Sequence, residues 1–324
     1  MMTYTIAWWN LENLFDTVSS PVRPDWLQKR LASELKGWTA PVLTKKIRQL
    51  TKVITAMNAG QGPDILGVCE VENRPVLEKL AANLSLPGRD YDIVHADTGD
   101  KRGIDIAFIY DRTLFTVDPD AIFNQVILKR NATRDILQAT FRTRSHGHEF
   151  VLMGHHWPSR RGGKEASAPY RMMAGETMAY WHQRIIEIKG ETPVFALGDF
   201  NDEPFDPALE VYGLSTRALG KVTSRRARKP YFYNLMWNRL DDAIATHVYD
   251  GVWGMLDQAL ANRAALTREG VYCTPDAAEI FTLDGMVNRG KPVRFSRPAT
   301  KGGINADGFS DHLPVLLTIK EKTA

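Results

Sequence analysis

Five stretches of the chain put a carboxylate, amide or imidazole where an apolar extended run ends. They are Asn10 with Glu12; Glu70; His155-His156; Asp199-Phe200-Asn201; and Ser310-Asp311-His312. Carboxylates and amides offer hard oxygen ligands, and imidazoles hold or move protons near neutral pH. Side chains at strand ends can converge on one rim of a sheet, rigidly held and reachable from solvent. Taken singly, each stretch has an ordinary reading: a strand-end Asp forms turns or caps helices, and a lone His is a satisfied polar residue. The ordered set carries the information.

The elements that must position these residues are legible in outline. Thr3 to Trp9 is rich in β-branched and aromatic residues and reads as a strand, followed by a Pro-containing loop from Ser19 to Pro24. Two helical stretches follow. In the second, Leu43, Ile47, Leu50, Ile54 and Met57 form one apolar stripe that ends at Gly60 and Gly62. The run Asp64 to Cys69 predicts a buried strand ending at Glu70, and Pro75 to Leu84 a helix. Extended segments are expected near 91–96, 104–110, 135–142 and 149–156. A helix is expected from Ser167 to Lys189, and strands at 191–197 and 314–319.

The chain has 324 residues, 44% hydrophobic and 24% charged, which excludes disordered and collagen-like classes. Its 41 Lys and Arg against 38 Asp and Glu leave +3, too mild to signal a polyanion partner and no obstacle to one. Cys69 and Cys273 belong to no CxxC pair, so neither a disulfide framework nor a thiolate zinc site is expected. No apolar run approaches the roughly 20 residues of a membrane span. The amino terminus lacks the basic region and long apolar stretch of a secretory signal, so the expected location is cytoplasmic. Ser224 to Lys229 is the one charge run and reads as an exposed loop. With no repeat and no biased linker, one layered α+β domain is expected over 1–324, as a monomer.

In order, the five stretches resemble the motifs of the endonuclease/exonuclease/phosphatase superfamily. That group includes DNase I-like nucleases, exonuclease III-type abasic endonucleases, sphingomyelinases and inositol polyphosphate phosphatases. Trp9-Asn-Leu-Glu-Asn-Leu-Phe15 is similar to the opening W-N-hydrophobic-acidic motif, and Val68-Cys-Glu70 stands where the family has L-Q-E. Gly154-His-His-Trp-Pro-Ser159 is similar to N-H-hydrophobic-x-S. Gly198-Asp-Phe-Asn201 matches G-D-F-N, and Ser310-Asp-His312 matches S-D-H. The resemblance spans residues 4 to 315 and is nearest a bacterial subgroup, often of unassigned substrate. It implies a four-layer α/β/β/α sandwich of two packed mixed sheets, with the active site at one edge.

Hydrolysis of a phosphoester requires stabilised phosphoryl charge and an activated water. Against that need, the resemblance implies Mg2+ or Mn2+ held chiefly by Glu70, with Asn10, Glu12 and Asp311 as candidates to complete or orient the shell. For Glu12, helix-start chemistry is the competing reading. Asp199 is expected to position or deprotonate the attacking water, and Asn201 to donate to a phosphoryl oxygen. An Asx turn running into Asp202-Glu203-Pro204 is the plain alternative for that pair.

His312 matches the family's catalytic histidine and needs a supporting carboxylate. Asp257 in Met255-Leu-Asp-Gln-Ala-Leu260 is preferred over Asp241-Asp242, which read more readily as a turn. His156 is the second catalytic candidate, with His155 where the family has Asn. Asp105, an acid inside an apolar strand, needs a partner and is expected to pair with His156. Arg160, with Arg161 and Lys164 beside it, and Arg102 and Arg171 are candidate phosphate contacts.

Glu72 and Leu11-Glu12 occupy positions where the DNase I branch has arginines that touch nucleic-acid backbone, which argues against minor-groove docking of that kind. The leading expectation is a divalent-metal phosphodiesterase acting on nucleic acid, endo- or exonucleolytic. The second is a phosphatase or phosphodiesterase for a small or lipid-derived phosphoester. The third is an inactive binding module on the same fold.

Overall fold

The computed structural model describes residues 1–129 and 133–322. Its principal strands are β1 (Met2–Leu14), β2 (Ile65–Val71), β3 (Tyr91–His95), β4 (Asp105–Asp111), β5 (Phe115–Gln125), β6 (Ile136–Thr143), β7 (Glu149–His156), β8 (Val194–Asp199), β9 (Asp257–Ala261) and β10 (Val315–Glu321). The first mixed sheet runs β10-β1-β2-β4-β3, with the short strands Val271–Tyr272 and Ala278–Ile280 on β10. The second runs β5-β6-β7-β8-β9 and is extended by Phe232–Asn234 and Ser215–Thr216.

Period-two alternation in near-continuous apolar strands builds the layers, because a strand covered on both faces is apolar at every position. On β1, Tyr4, Ile6 and Trp8 enter the core between the sheets, while Ala7, Trp9 and Leu11 face a helical layer. On β7 and β8, Phe150, Leu152, Phe195 and Leu197 point to the other sheet, and Val151, Met153, Val194 and Ala196 point outward. Helix α1 (Asp25–Leu31), α2 (Ala40–Gly60) and α3 (Arg74–Asn83) cover the first sheet; the expected stripe of α2, Leu43 to Met57, is buried there. Helix α4 (Lys164–Lys189) covers the second through Ala174, Met178 and Ile185. The result is the DNase I-like α/β/β/α sandwich. The sheets approach so closely before His156 that a Cβ on Gly154 would meet Ile106 Cγ2 at 2.8 Å.

Strand β5 carries no signal in the sequence. Asp118, Pro119 and Asp120 interrupt it at a bulge between Val117 and Ile122, which only a sheet edge tolerates. No helix among the described residues is long and apolar enough to cross a membrane.

One buried group sets a pH dependence of stability. His182 on α4 stacks on Phe232 with ring centroids 3.9 Å apart, and burial pushes its imidazole down to about 3. The folded chain therefore refuses a proton that the unfolded chain accepts below about 6.5. This contribution is full above 6.5 and is lost as pH falls, by roughly 2 kcal/mol between 6.5 and 5. In urea titrations at pH 7.5 and pH 5, His182→Phe should lose that much less stability than the wild type. An equal loss in both would show that His182 does not couple folding to protons.

Candidate active site

Neighbouring strands of the first sheet break their regular pairing at the same level. β1 pairs with β2 in register up to Asn10 and Cys69, then slips, with Glu12 at φ 53° and Asn13 at φ 57°. β2 bulges against β4 between Cys69 and Val71, with Glu70 at φ 60°. Cys69 faces the second sheet and Val68 the helices, so strict alternation would send Glu70 into the helical layer. The bulge re-aims it. Its Oε2 accepts the Asn13 N–H at 2.9 Å, and its Oε1 lies 3.7 Å from His156 Nε2. Left-handed backbone at these non-glycine residues costs on the order of 1–3 kcal/mol each.

The second sheet supplies a single rung. His156 is level with Asp199 across the parallel β7–β8 pair, and Asp199 is level with Asp257 across β8–β9. Asp199 is the hub. Its Oδ1 accepts the Asn201 N–H at 3.0 Å, and its Oδ2 accepts Asn10 Nδ2–H at 3.1 Å from the facing sheet. The same Oδ2 lies 3.7 Å from His156 Nε2 and 3.9 Å from His312 Nε2.

His312 arrives on the loop before β10. Its Nδ1 is 2.6 Å from Asp257 Oδ2, so Asp257, and not Asp241 or Asp242, is the carboxylate that holds it. Thr246 Oγ1 accepts the Leu256 and Asp257 backbone N–H groups, and Trp9 Nε1–H donates to the His312 carbonyl at 2.9 Å. Ser310 Oγ donates to the Asn10 carbonyl at 2.6 Å, tying the loop to β1.

Opposite electrostatics separate the two imidazoles. Burial opposes charge on His312, but Asp257 and Asp199 outweigh it and hold that imidazole well above 6.5, charged at neutral pH. Burial, joined by Arg134, Arg102 and His312, pushes His156 well below 6.5, so it is neutral. Burial also raises the Asp199 carboxyl, to about 7; the His312 charge opposes that shift and Asp257 adds to it. Asp311 is held below the usual carboxylate range because His312 and Arg294 outweigh the effect of burial.

Several sequence expectations are corrected by the geometry. Asp105 does not pair with His156. Ile106, Phe108 and Tyr110 of β4 face the second sheet, so Asp105 belongs to the opposite parity. Its carboxylate takes the Thr98 N–H at 3.0 Å and the Thr98 hydroxyl at 2.6 Å, while His156 Nδ1 has no hydrogen-bond partner among the described residues. Glu12 is not free to ligate a metal. Its oxygens accept from Arg294 Nε at 2.7 Å and from the Phe295 and Ser296 N–H groups, with Lys46 Nζ at 3.7 Å. Glu12 lies within β1 and not at a helix start, and it anchors the loop at 294–296.

Arg171 is fully buried beside Asp202 at 2.7 Å and reaches no rim. Arg160 donates to the Asn201 carbonyl at 2.8 Å and lies within 4 Å of Asp202, Glu203 and Asp206, so it braces the 201–206 turn. Asn201 uses its amide N–H on the Trp157 carbonyl at 3.1 Å, leaving one N–H of that amide. Arg102 does reach the rim: half-exposed, it lies 3.5 Å from Glu70 and donates to Asn13 Oδ1 at 3.1 Å.

Sequence reasoning missed four participants. Arg294 joins Glu12 to Asp311, at 3.3 Å from the latter, and stands in a segment with no motif. His247 lies against His312 with ring centroids 4.5 Å apart, and burial pushes it down to about 3, neutral beside the charged ring. Buried Arg134 donates to the Trp157 carbonyl at 2.9 Å. Lys46 lies on the stripe side of α2, where an apolar residue would be expected; its ammonium donates to the Phe309 carbonyl at 2.8 Å.

The donor set fits a hard divalent ion. Glu70 Oε1 has the Arg102 guanidinium at 3.5 Å and the neutral His156 ring at 3.7 Å but no short contact that occupies it. Asn10 Oδ1, which accepts the Glu12 N–H at 2.9 Å, and Asp311, on the loop that Ser310 ties to β1, are the other candidate oxygens.

Two packed sheets with a histidine–aspartate pair, a bulge-mounted glutamate and a buried aspartate hub on one rim define a DNase I-like site. The sequence profile described as the endonuclease/exonuclease/phosphatase family matches residues 5–321, and the chain belongs to that family of phosphoester hydrolases. Solved structures similar to it include an endonuclease/exonuclease/phosphatase family protein from Bacteroides thetaiotaomicron, 16% identical, covering 99% of each chain with a TM-score of 0.57. A mannosyl-6-phosphatase of the same organism is 16% identical over 99% of this chain and 100% of that one, with a TM-score of 0.57. TDP2 of D. rerio, humanized by 14 mutations, is 15% identical over 98% and 99%, with a TM-score of 0.57. No curated protein sequence matches the chain.

Proposed function

We propose that the chain is a Mg2+- or Mn2+-dependent phosphodiesterase acting on nucleic acid, with Glu70, Asn10 and Asp311 as the metal-facing oxygens. The observation that carries this is the convergence on Asp199 Oδ2, within 4 Å of Asn10 Nδ2, His156 Nε2 and His312 Nε2. When bound, the ion supplies Lewis-acid stabilisation of phosphoryl charge.

The chain's own groups do the rest. Asp199, raised toward neutrality, takes the proton of the attacking water. Cationic His312, oriented through Nδ1 by Asp257, presents Nε2–H to a phosphoryl oxygen. Neutral His156 presents Nε2–H on the Glu70 side, toward the phosphoryl group or leaving oxygen. Arg102 and Arg294, both partly exposed, are the cations available to further phosphates.

The two acids that argued against minor-groove docking are buried in ion pairs: Glu72 against Arg23 at 2.5 Å, and Glu12 against Lys46 and Arg294. A panel of single- and double-stranded DNA, RNA, phosphomonoesters and simple phosphodiesters, each with and without EDTA, tests the reading. Metal-dependent cleavage of a polynucleotide with steep salt dependence is expected. Turnover confined to small or lipid-derived phosphoesters would replace the substrate class, and turnover that survives metal removal would overturn the metal's role.

A further inference from the structure

A second polar cluster lies outside the catalytic rim, where the β3–β4 loop closes on itself. His95 is the last residue of β3, Asp105 the first of β4, and Asp97 stands in the loop between them. The three offer one ligand atom each, all within 4.8 Å of one another. His95 Nε2 is 3.4 Å from Asp105 Oδ2 and 4.0 Å from Asp97 Oδ1.

The imidazole is the telling group. Its side chain is only 4% exposed, yet Nε2 has no hydrogen-bond partner among the described residues. A real imidazole–carboxylate bond in this chain looks different: His312 and Asp257 close to 2.6 Å. A buried ring nitrogen without a hydrogen bond carries a desolvation cost that a bound ion would offset. Thr98 meanwhile pins Asp105 Oδ1 through its N–H and hydroxyl, leaving Oδ2 turned to His95. That is how outer hydrogen bonds orient a metal-binding carboxylate.

The spacing selects the ion. Ligand atoms about 2.0–2.1 Å from a tetrahedral centre stand roughly 3.3–3.4 Å apart. His95 and Asp105 already have that separation, and Asp97, with 85% of its side chain exposed, is free to close the remaining gap. A nitrogen with two carboxylate oxygens suits zinc better than Mg2+ or Ca2+. The cluster opens into a cavity of about 390 Å³, lined also by Trp26 and Leu27, which leaves room for a water as fourth ligand.

We infer that His95, Asp97 and Asp105 form a Zn2+ site separate from the catalytic centre. None of the three makes a hydrogen bond or ion pair with Glu70, Asp199 or His312 among the described residues. The ion staples both ends of the loop at 96–104, which carries Arg102 to the catalytic rim. Its effect is therefore to order that arginine by closing the loop around it.

Co2+ binding to the full chain, stripped of metal and then saturated with Mg2+, tests the site through its visible absorption. The wild type should bind one Co2+ with the intense bands of a tetrahedral centre, and Zn2+ should displace it. Asp105→Asn should abolish those bands, and Asp97→Asn should weaken Co2+ at least about tenfold. Asp97 is exposed, so its variant keeps the test decisive if the buried substitution unfolds the chain. Zn2+ should also raise the Tm of the wild type by more than that of Asp97→Asn. Identical Co2+ spectra and affinities in the wild type and Asp97→Asn would overturn the site, as would weak bands of octahedral type alone.

Discussion

His312→Ala should lower kcat by about 10³-fold or more while changing divalent-metal affinity by less than about twofold. The imidazole is both cationic and oriented, with Nδ1 committed to Asp257 and Nε2 aimed at the space before Asp199. Asp257→Asn should reproduce much of that loss with a different signature. Without the carboxylate, burial lowers the His312 pKa, so the alkaline limb of the kcat profile should move to lower pH. Pairing His312→Ala with His156→Ala should give less than the product of the two single losses, because both donors serve one transition state. A His312→Ala variant within tenfold of wild-type kcat on the substrate found by the panel would refute this assignment.

Glu70→Gln should raise the Mg2+ or Mn2+ concentration for half-maximal activity by at least about 10²-fold, which corresponds to about 2.7 kcal/mol of binding. The substitution keeps the shape and the Asn13 N–H contact while removing the charge. Asn10→Ala should weaken the metal less, because that amide is shared with Asp199 and the Glu12 N–H. Metal titrations followed by activity and by direct binding check both. If Glu70→Gln binds metal as the wild type does, the ion is held elsewhere on the rim.

Much of this site was legible because strand parity and strand ends are written in residue order. The apolar runs before Asn10, Glu70, His156 and Asp199 located four elements, and the pattern around Met255 to Leu260 picked out Asp257 correctly. Asp105 was misassigned although the needed signal was present. Ile106, Phe108 and Tyr110 share a face, and an acid one residue earlier must take the other. The ties of Arg160, Arg171 and Glu12 were not legible. Each depends on which of several carboxylates, guanidinium groups or backbone groups ends up nearby, and long side chains choose partners only after the fold exists. Arg294 lies on an irregular connection, and His247 opens the three-residue strand His247–Tyr249, which is too short for either period two or period 3.6 to show.

The paired bulges that turn Glu70 toward His156 also bear on how this protein would respond to laboratory evolution. Glu12, Asn13 and Glu70 all sit in left-handed backbone. A library screened only for thermal tolerance would reward changes that relax that geometry, above all an apolar residue in place of Glu70, since smoothing the strands releases strain. Such winners would fold better while pointing residue 70 into the helical layer. Selection for heat resistance alone is thus set against catalysis at these positions, and a screen meant to keep both must read turnover in every round.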